Sequence, residues 1–386
     1  MLSIPQNVRA VLDTLHQNKH EAYIVGGCVR DALLGDNPSD YDVTTSAKPE
    51  EVVALFEKTI PTGIKHGTVT VIWDGKAIEV TTFRTDGDYS DSRRPDNVCF
   101  VETLAGDLSR RDFTVNALAF DEQTGLIDLF GGENDLKNGI LRAVGDPEKR
   151  FCEDALRILR LFRFAAKLGF TPEENTLIAA LKEKNRLENI SRERIAVELK
   201  KAVCGTYPEA LTPLIESGGL AFLGLERTPD FKIVAAKGLS ENARFFFALY
   251  TAYCLPQKVA DELKLSNREK KYFENLLRLC GCDTPKSAAD LKNSMFIADP
   301  WAVEDWLIFL VQTGKIDPVL LHTKDEILEN QEPYLIEHLA IDGNELKEIG
   351  LSGNKIGKTL ELLRKAVVEN PQLNQKNILK NMVNNL

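Results

Sequence analysis

The stretch AYIVGGCVRDALLGDNPSDYDVTT, residues 22–45, decides how the rest of the chain is read. AYIV is a short apolar run that breaks at a Gly-Gly pair, which reads as a strand entering a turn; VRDALLG reads as a short helix stopped by Gly35, and YDVTT as the next strand. Side chains two apart on a strand share a face, so Asp40 and Asp42, on either side of Tyr41, present two carboxylates to one side. Paired carboxylate oxygens suit a divalent cation such as Mg²⁺, and metal-assisted phosphoryl transfer needs such a cluster. Gly26-Gly27 leaves backbone N–H groups open to an anion just before the helix, with Arg30 close by as a cationic clamp. A lone D-x-D is usually a surface loop, and a lone Gly-Gly is usually a turn. The ordered combination is far more specific than either.

Working outward, VTVIWDGKAIEVTTF (69–83) reads as a hairpin, Asp74-Gly75 supplying the two positive-φ positions of a tight turn. Glu79, in its second arm, is a third acid that the two-residue period aims toward the carboxylate face. Up to about residue 140 strand-like and helical patterns alternate, whereas the remainder carries apolar residues at helical spacing with few β-branched runs. The expectation is an α+β multi-domain chain, an α/β head followed by an all-helical remainder. Glu148–Leu168 is expected to form one helix closed by Gly169, with further helices after Thr171-Pro172 and from near Ser191.

At 386 residues with 43% apolar content, the chain is long enough for several cores. No run approaches the ~20 apolar residues of a membrane helix, and the first 17 residues read as an amphipathic helix, so a cytoplasmic protein with no membrane partner is expected. Seven scattered cysteines fit neither a disulfide framework nor a zinc site; Cys280 and Cys282 have one residue between them, too few for a zinc knuckle. A net charge of −10 does not point to nucleic acid globally. Basic residues are enriched locally, over 142–167 and mildly in the last thirty residues, and RNA is expected along those stretches. His66, alone before a strand, is read as structural.

IVGGCVRDALLG followed by DYD resembles the signature of the polymerase-β-like nucleotidyltransferases, in particular the class II branch that holds tRNA CCA-adding enzymes and bacterial poly(A) polymerases. DLSRRDFTVNALAF (107–120) is similar to that family's ribose-recognition motif, GDPEKRF to its hinge, EDALRILRLFRFAAKLGF to its nucleotide-selecting helix, and SRERI with Glu198 to its stabilising helical motif. The resemblance runs from about residue 22 to 200 and returns more weakly in IDGNELKEIGLSGNKIG.

The resemblance implies a catalytic nucleotidyltransferase head (1–140), a helical neck for nucleotide selection (141–203), a helical body (204–280) and a helical tail that grips tRNA (281–386). It implies that Asp40 and Asp42 bind Mg²⁺ with Glu79 assisting, that Gly26, Gly27 and Arg30 hold phosphates, and that Asp154 and Arg157 present acceptor and donor groups to the base edge of CTP or ATP. At three-residue spacing on a helix those two side chains are neighbours, and a carboxylate accepts from the exocyclic amine that both bases carry. Arg111, Arg160 and Arg163 are implied contacts to phosphates or base, and Asp112 with Asn116 holds the ribose side. Without the motif context, the charges of 148–168 read as a solvated face with Glu153 and Arg157 paired at i,i+4.

The turn-rich segment DGDYSDSRRPDNVCF (86–100) reads as a mobile loop, and its pattern is associated in the family with switching from C to A addition. The expected activity is template-independent addition and repair of the 3′-terminal CCA of tRNA from CTP and ATP, with pyrophosphate released. The resemblance places the partner's acceptor stem and elbow on the later helices and suggests a homodimer. The alternatives are an enzyme adding only A to tRNA ending in CC, a poly(A) polymerase, and an inactive RNA-binding protein that keeps the fold. The intact D-x-D and Arg-Arg-Asp speak against the last.

Overall fold

A computed structural model describes residues 4–86 and 98–385, which divide into two compact units, one running to Thr228 and the other from Pro229. The first unit opens with α1 (Gln6–Gln17), whose stripe Val8, Val11, Leu12 and Leu15 is buried, as the spacing of an amphipathic helix requires. Then follow β1 (Ala22–Val25), α2 (Gly27–Leu33), β2 (Asp42–Thr45), α3 (Pro49–Leu55), β3 (Thr59–Gly63), β4 (Thr68–Trp73) and β5 (Lys76–Thr82). After these come β6 (Arg84–Asp86), β7 (Val98–Phe100), α4 (Leu104–Ser109), β8 (Leu118–Asp121), β9 (Gly125–Asp128) and α5 (Gly132–Asn138).

Seven of these strands form one mixed sheet in the order β3-β4-β5-β2-β1-β8-β9. β2 and β5 pair in parallel, with Asp42 opposite Glu79. The β4–β5 hairpin turns as expected, Asp74 at φ 50° and Gly75 at φ 72°. Val69 and Val71 from β4 and Ile78 and Val80 from β5 point into the same core as the α1 stripe and Val29. Burial of each such side chain contributes about 1.5–3 kcal/mol, so the sheet is held by alternation on the strands and by one helix face against it.

The segment expected as a loop over 86–100 lies outside the described residues for 87–97. Its ends differ from that expectation: β6 and β7 pair antiparallel, Arg84 opposite Phe100 and Thr85 opposite Cys99.

The first unit continues with the two-residue strand β10 (Ile140–Leu141), α6 (Pro147–Glu153), α7 (Leu156–Leu168), β11 (Thr171–Pro172), α8 (Glu174–Lys182), α9 (Arg192–Val203) and α10 (Thr212–Glu216). The single helix expected over Glu148–Leu168 is therefore two. Asp154 sits between them at φ −142°, ψ 104°, and its Oδ1 accepts from the Leu156 N–H at 3.0 Å. A short carboxylate that bonds its own neighbouring backbone competes with the helix ladder, which breaks there. α7 does end at Gly169, φ 70°.

Among the described residues, the second unit contains only helices and loops, and its helices run from Phe231–Val234 to Lys376–Asn384. Its aromatic core includes Trp306, Phe245, Phe246, Phe247 and Phe273, all fully buried, with the Phe247 and Phe309 rings stacked 4.2 Å apart. Among the described residues no helix is long and apolar enough to cross a membrane. All seven cysteines are free.

Candidate active site

Gly26 caps α2 from φ 77°, ψ −127°, a backbone conformation open to glycine and strained for other residues. A Cβ there would lie 2.8 Å from Arg111 Nη1. The Gly-Gly turn thus admits a guanidinium against the backbone, and Gly26→Ala is expected to displace it. The expected result is a KM for nucleotide raised about tenfold, with about 1–3 kcal/mol of stability lost to the strained backbone. Incorporation kinetics and a thermal melt check this, and wild-type values in both would show that Arg111 is not needed there. Cys28, in the same turn, is a core residue: burial pushes its thiol up to about 11.

Asp42 opens β2 and Asp40 lies just before it, its Oδ2 accepting from Ser39 Oγ at 3.1 Å. Both line one cavity, while Tyr41 between them packs on the core, so the expected alternation holds although Asp40 is outside the strand. Desolvation by the surrounding wall, then the charge of Glu79 in the next strand, raises the Asp42 carboxyl above the usual range; Arg111 opposes this and Asp40 adds to it. Hard oxygen donors crowded together in this way are the setting a divalent cation relieves. Glu79 stands beside Asp42 in register but is not among the residues lining the cavity. Among the described residues, no three His, Cys, Asp or Glu side chains gather into a cluster able to hold a metal ion. Asp40 and Asp42, separated in the chain by Tyr41 alone, are the adjacent pair of carboxylates that the cavity presents.

Arg111 is held from behind by Asp107, fully buried within α4: Arg111 Nη2 donates at 3.2 Å, Arg110 Nη2 at 2.8 Å, and Thr44 Oγ1 at 3.4 Å. Against the cost of burial, Arg110 and Arg111 hold the Asp107 carboxyl below its usual range.

A second chain of contacts crosses the cavity floor. Arg30, 3% exposed, donates through Nη1 to Asn116 Oδ1. Asn116 Nδ2 donates to Asp112 Oδ1 at 3.0 Å, and Arg160 Nε donates to Asp112 Oδ2 at 2.8 Å. Burial disfavours the Asp112 charge, but Arg160 and Asn116 overcome it and hold the carboxyl well below the usual range. Arg163 pairs with Glu198 of α9 at 2.6 Å. The guanidinium groups of Arg30, Arg160 and Arg163 all lie over the Phe164 ring, 5.1, 5.3 and 4.0 Å from its centroid. A π-face accepts cations that would otherwise repel one another, and a phosphate chain is the natural complement to that field.

The premise that Asp154 and Arg157 are neighbours on one helix does not hold, because the helix is broken between them. Each is instead fixed by its own partners. Asp154 Oδ2 accepts from Arg194 Nη2 at 2.7 Å. Arg157, 8% exposed, donates to Glu153 Oε2 at 2.7 Å, to the Arg150 carbonyl at 3.1 Å and to the Arg110 carbonyl at 2.9 Å. The i,i+4 pair of Glu153 and Arg157 is thus real, but both side chains are largely buried and Arg157 lines the cavity, so the pair is not on a solvated face.

The open cavity measures about 670 Å³ and gathers Gly26, Gly27, Arg30, Asp40, Asp42, Arg111, Asp112, Asn116, Asp154, Arg157, Arg160 and Arg163. Its volume is in the range of small-molecule sites. Every site residue expected from the sequence except Glu79 lines it. Phe164, Arg110, Arg194, Lys167 and Lys201 line it as well, and Asp107 supports it from behind. Sequence reasoning missed these; the signal available for Arg194 was its place in SRERI, and for Phe164 its place beside Arg163 in the basic helix.

Residues 22–142 match the poly A polymerase head domain, and 169–226 match a probable RNA- and SrmB-binding site of polymerase A. The chain is 34% identical to the CCA-adding enzyme of Staphylococcus saprophyticus, over 99% of this chain and 98% of that one. It is 36% identical to the CCA-adding enzyme of Oceanobacillus iheyensis, over 97% and 95% of the two chains. The structure of the Bacillus stearothermophilus CCA-adding enzyme in complex with CTP superposes with a TM-score of 0.85 at 32% identity, covering 98% of this chain and 97% of that one. Likeness over nearly the full length of both partners, with the head domain placed where the carboxylates and the Gly-Gly turn lie, means that this chain belongs to the CCA-adding enzyme family of tRNA nucleotidyltransferases.

Proposed function

We propose that this protein adds and repairs the 3′-terminal CCA of tRNA, taking CTP and ATP in turn and releasing pyrophosphate, with Mg²⁺ bound by Asp40 and Asp42. The observation that carries this reading is one cavity lined at once by the carboxylates Asp40 and Asp42, by Asp154 and Arg157, and by the cations Arg30, Arg111, Arg160 and Arg163. Such a lining offers donors for a metal, cations for a triphosphate and a polar pair for a base edge. A bond forms between the terminal 3′-oxygen of the RNA and the α-phosphorus, and the bond from that phosphorus to the β-phosphate bridging oxygen breaks. Bound Mg²⁺ supplies charge neutralisation of the triphosphate and a more acidic attacking hydroxyl. Arg30, Arg111, Arg160 and Arg163 orient the phosphates, while Asp112 and Asn116 hold the ribose side. A cytoplasmic place of action, where tRNA, CTP and ATP are at hand, is part of the same reading.

Asp154 and Arg157 choose the base. CTP and ATP offer an exocyclic amine to the Asp154 carboxylate, whereas UTP and GTP offer a carbonyl that meets its lone pairs, and an unpaired buried polar group costs about 1–3 kcal/mol. Asp154→Ala or Arg157→Ala is therefore expected to narrow the preference for CTP over UTP by about tenfold or more without emptying the Asp40/Asp42 site. Equal strictness in both variants would move base reading elsewhere.

The whole activity is tested by giving the protein, with Mg²⁺, CTP and ATP, a tRNA lacking its last three nucleotides and sequencing the product. An end of CCA with no further growth supports the reading. A long A tail replaces it with poly(A) polymerase activity, and addition only to tRNA ending in CC replaces it with A addition.

A further inference from the structure

Asp154 is anchored at both oxygens, and the second anchor comes from forty residues away. It lies in an extended link between α6 and α7, so no helical backbone sets its direction. The Leu156 N–H holds Oδ1 at 3.0 Å, and a carboxylate held at one oxygen still turns, since the terminal torsion of Asp is broad and roughly two-fold. Arg194 Nη2, at the start of α9, holds Oδ2 at 2.7 Å and removes that freedom. The pair is partly screened from water, the Asp154 side chain being 18% exposed and that of Arg194 28%. Each carboxylate oxygen carries two acceptor sites, so a carboxylate pinned in this way still has an acceptor direction for a base.

We propose that Arg194 is a positioning residue for nucleotide choice, acting through Asp154: it fixes the orientation in which the carboxylate meets the base edge. This rests on the reading of Asp154 as a base-selecting group. A selecting carboxylate works by refusing the wrong partner, and refusal requires that it not rotate away. Released from Arg194, Asp154 turns to relieve its clash with a carbonyl, and UTP and GTP gain entry.

The test compares kcat/KM for CTP against UTP, and for ATP against GTP, in the wild type, Arg194→Ala, Arg194→Lys, Asp154→Ala and the double variant Asp154→Ala with Arg194→Ala. Arg194→Ala is expected to narrow each preference about tenfold through gain on the wrong nucleotide. Arg194→Lys is expected to restore part of it, because an ammonium keeps the charge but not the planar fork. In the Asp154→Ala background, loss of Arg194 is expected to change the preference no further, as for two residues acting through one contact.

A proportional fall on all four nucleotides in Arg194→Ala would overturn the inference and make Arg194 a general phosphate or packing residue. If Asp154→Ala relaxes choice and Arg194→Ala does not, the inference fails while base reading stands; if Asp154→Ala itself leaves choice unchanged, the underlying reading fails. Should Arg194→Ala not fold, Arg194→Gln is read in its place: a native melt with native preference overturns the inference, and a narrowed preference supports it.

Discussion

Asp42→Ala is expected to lower nucleotide incorporation by about 10³-fold or more, the loss that follows when several kcal/mol of charge stabilisation are withdrawn from phosphoryl transfer. The fold is expected to survive. Burial and Glu79 both act against the Asp42 charge, so the folded chain holds that carboxylate at a cost, and removing it relieves the strain. The variant should therefore melt at or slightly above the wild-type temperature and still retard tRNA on a native gel. Incorporation assayed across a Mg²⁺ titration checks the first part and calorimetry the second. Activity within tenfold of wild type would sink the metal assignment, and a large fall in melting temperature would show that Asp42 serves the fold instead. Groups that oppose stability where they stand belong to chemistry more often than to packing.

Asp107→Ala is expected to do the reverse, unfolding the head before it changes the chemistry. The carboxylate is fully buried and carries Arg110 and Arg111 on its two oxygens. Removing one partner of a buried ionic cluster leaves uncompensated charge and costs about 3–5 kcal/mol. Denaturant unfolding monitors this directly, and a loss below about 1 kcal/mol would mean that solvent reaches the cluster and screens it.

The pH dependence has a definite sign. Asp107 and Asp112 are both held below the usual carboxylate range by neighbouring arginines. Their stabilisation is present above the unfolded carboxylate pKa of about 3.9 and is lost as pH falls through the lower folded values. The acid limb of the wild-type stability curve should consequently be steeper than that of Asp107→Ala. Curves of equal slope would remove Asp107 from the acid transition.

Much of the head was legible because its signals are local. Strand alternation placed β4 and β5, positive φ at Asp74 and Gly75 turned them, and a break at Gly26-Gly27 marked the turn that opens α2. The register that puts Glu79 beside Asp42 needed one step more, since it depends on which strands are neighbours in the sheet. The failure at Asp154 has the opposite character. LRILRLFRFAAKL has helical periodicity strong enough to carry the reading backward through Asp154 and Ala155 into PEKRFCE, yet the competing bonds of Asp154 break the ladder. One of those is local and was available to reasoning from side-chain type. The other, to Arg194, was not.

The sequence by itself therefore determined the chemistry on offer: two carboxylates at strand spacing, a glycine turn open to anions, and a basic amphipathic helix after Asp154. Each follows from a period of two or of 3.6, or from a backbone conformation that few residues adopt, and such rules act over a handful of positions. The tertiary structure decided how these groups are held. Arg30 meets Asn116 across 86 residues of chain, Asp112 meets Arg160 across 48, and Asp154 meets Arg194 across 40. Three guanidinium groups share the Phe164 ring, which no local pattern specifies. Buried charge must find a partner wherever packing brings one within reach, and which partner that is depends on how sheet and helices close on one another.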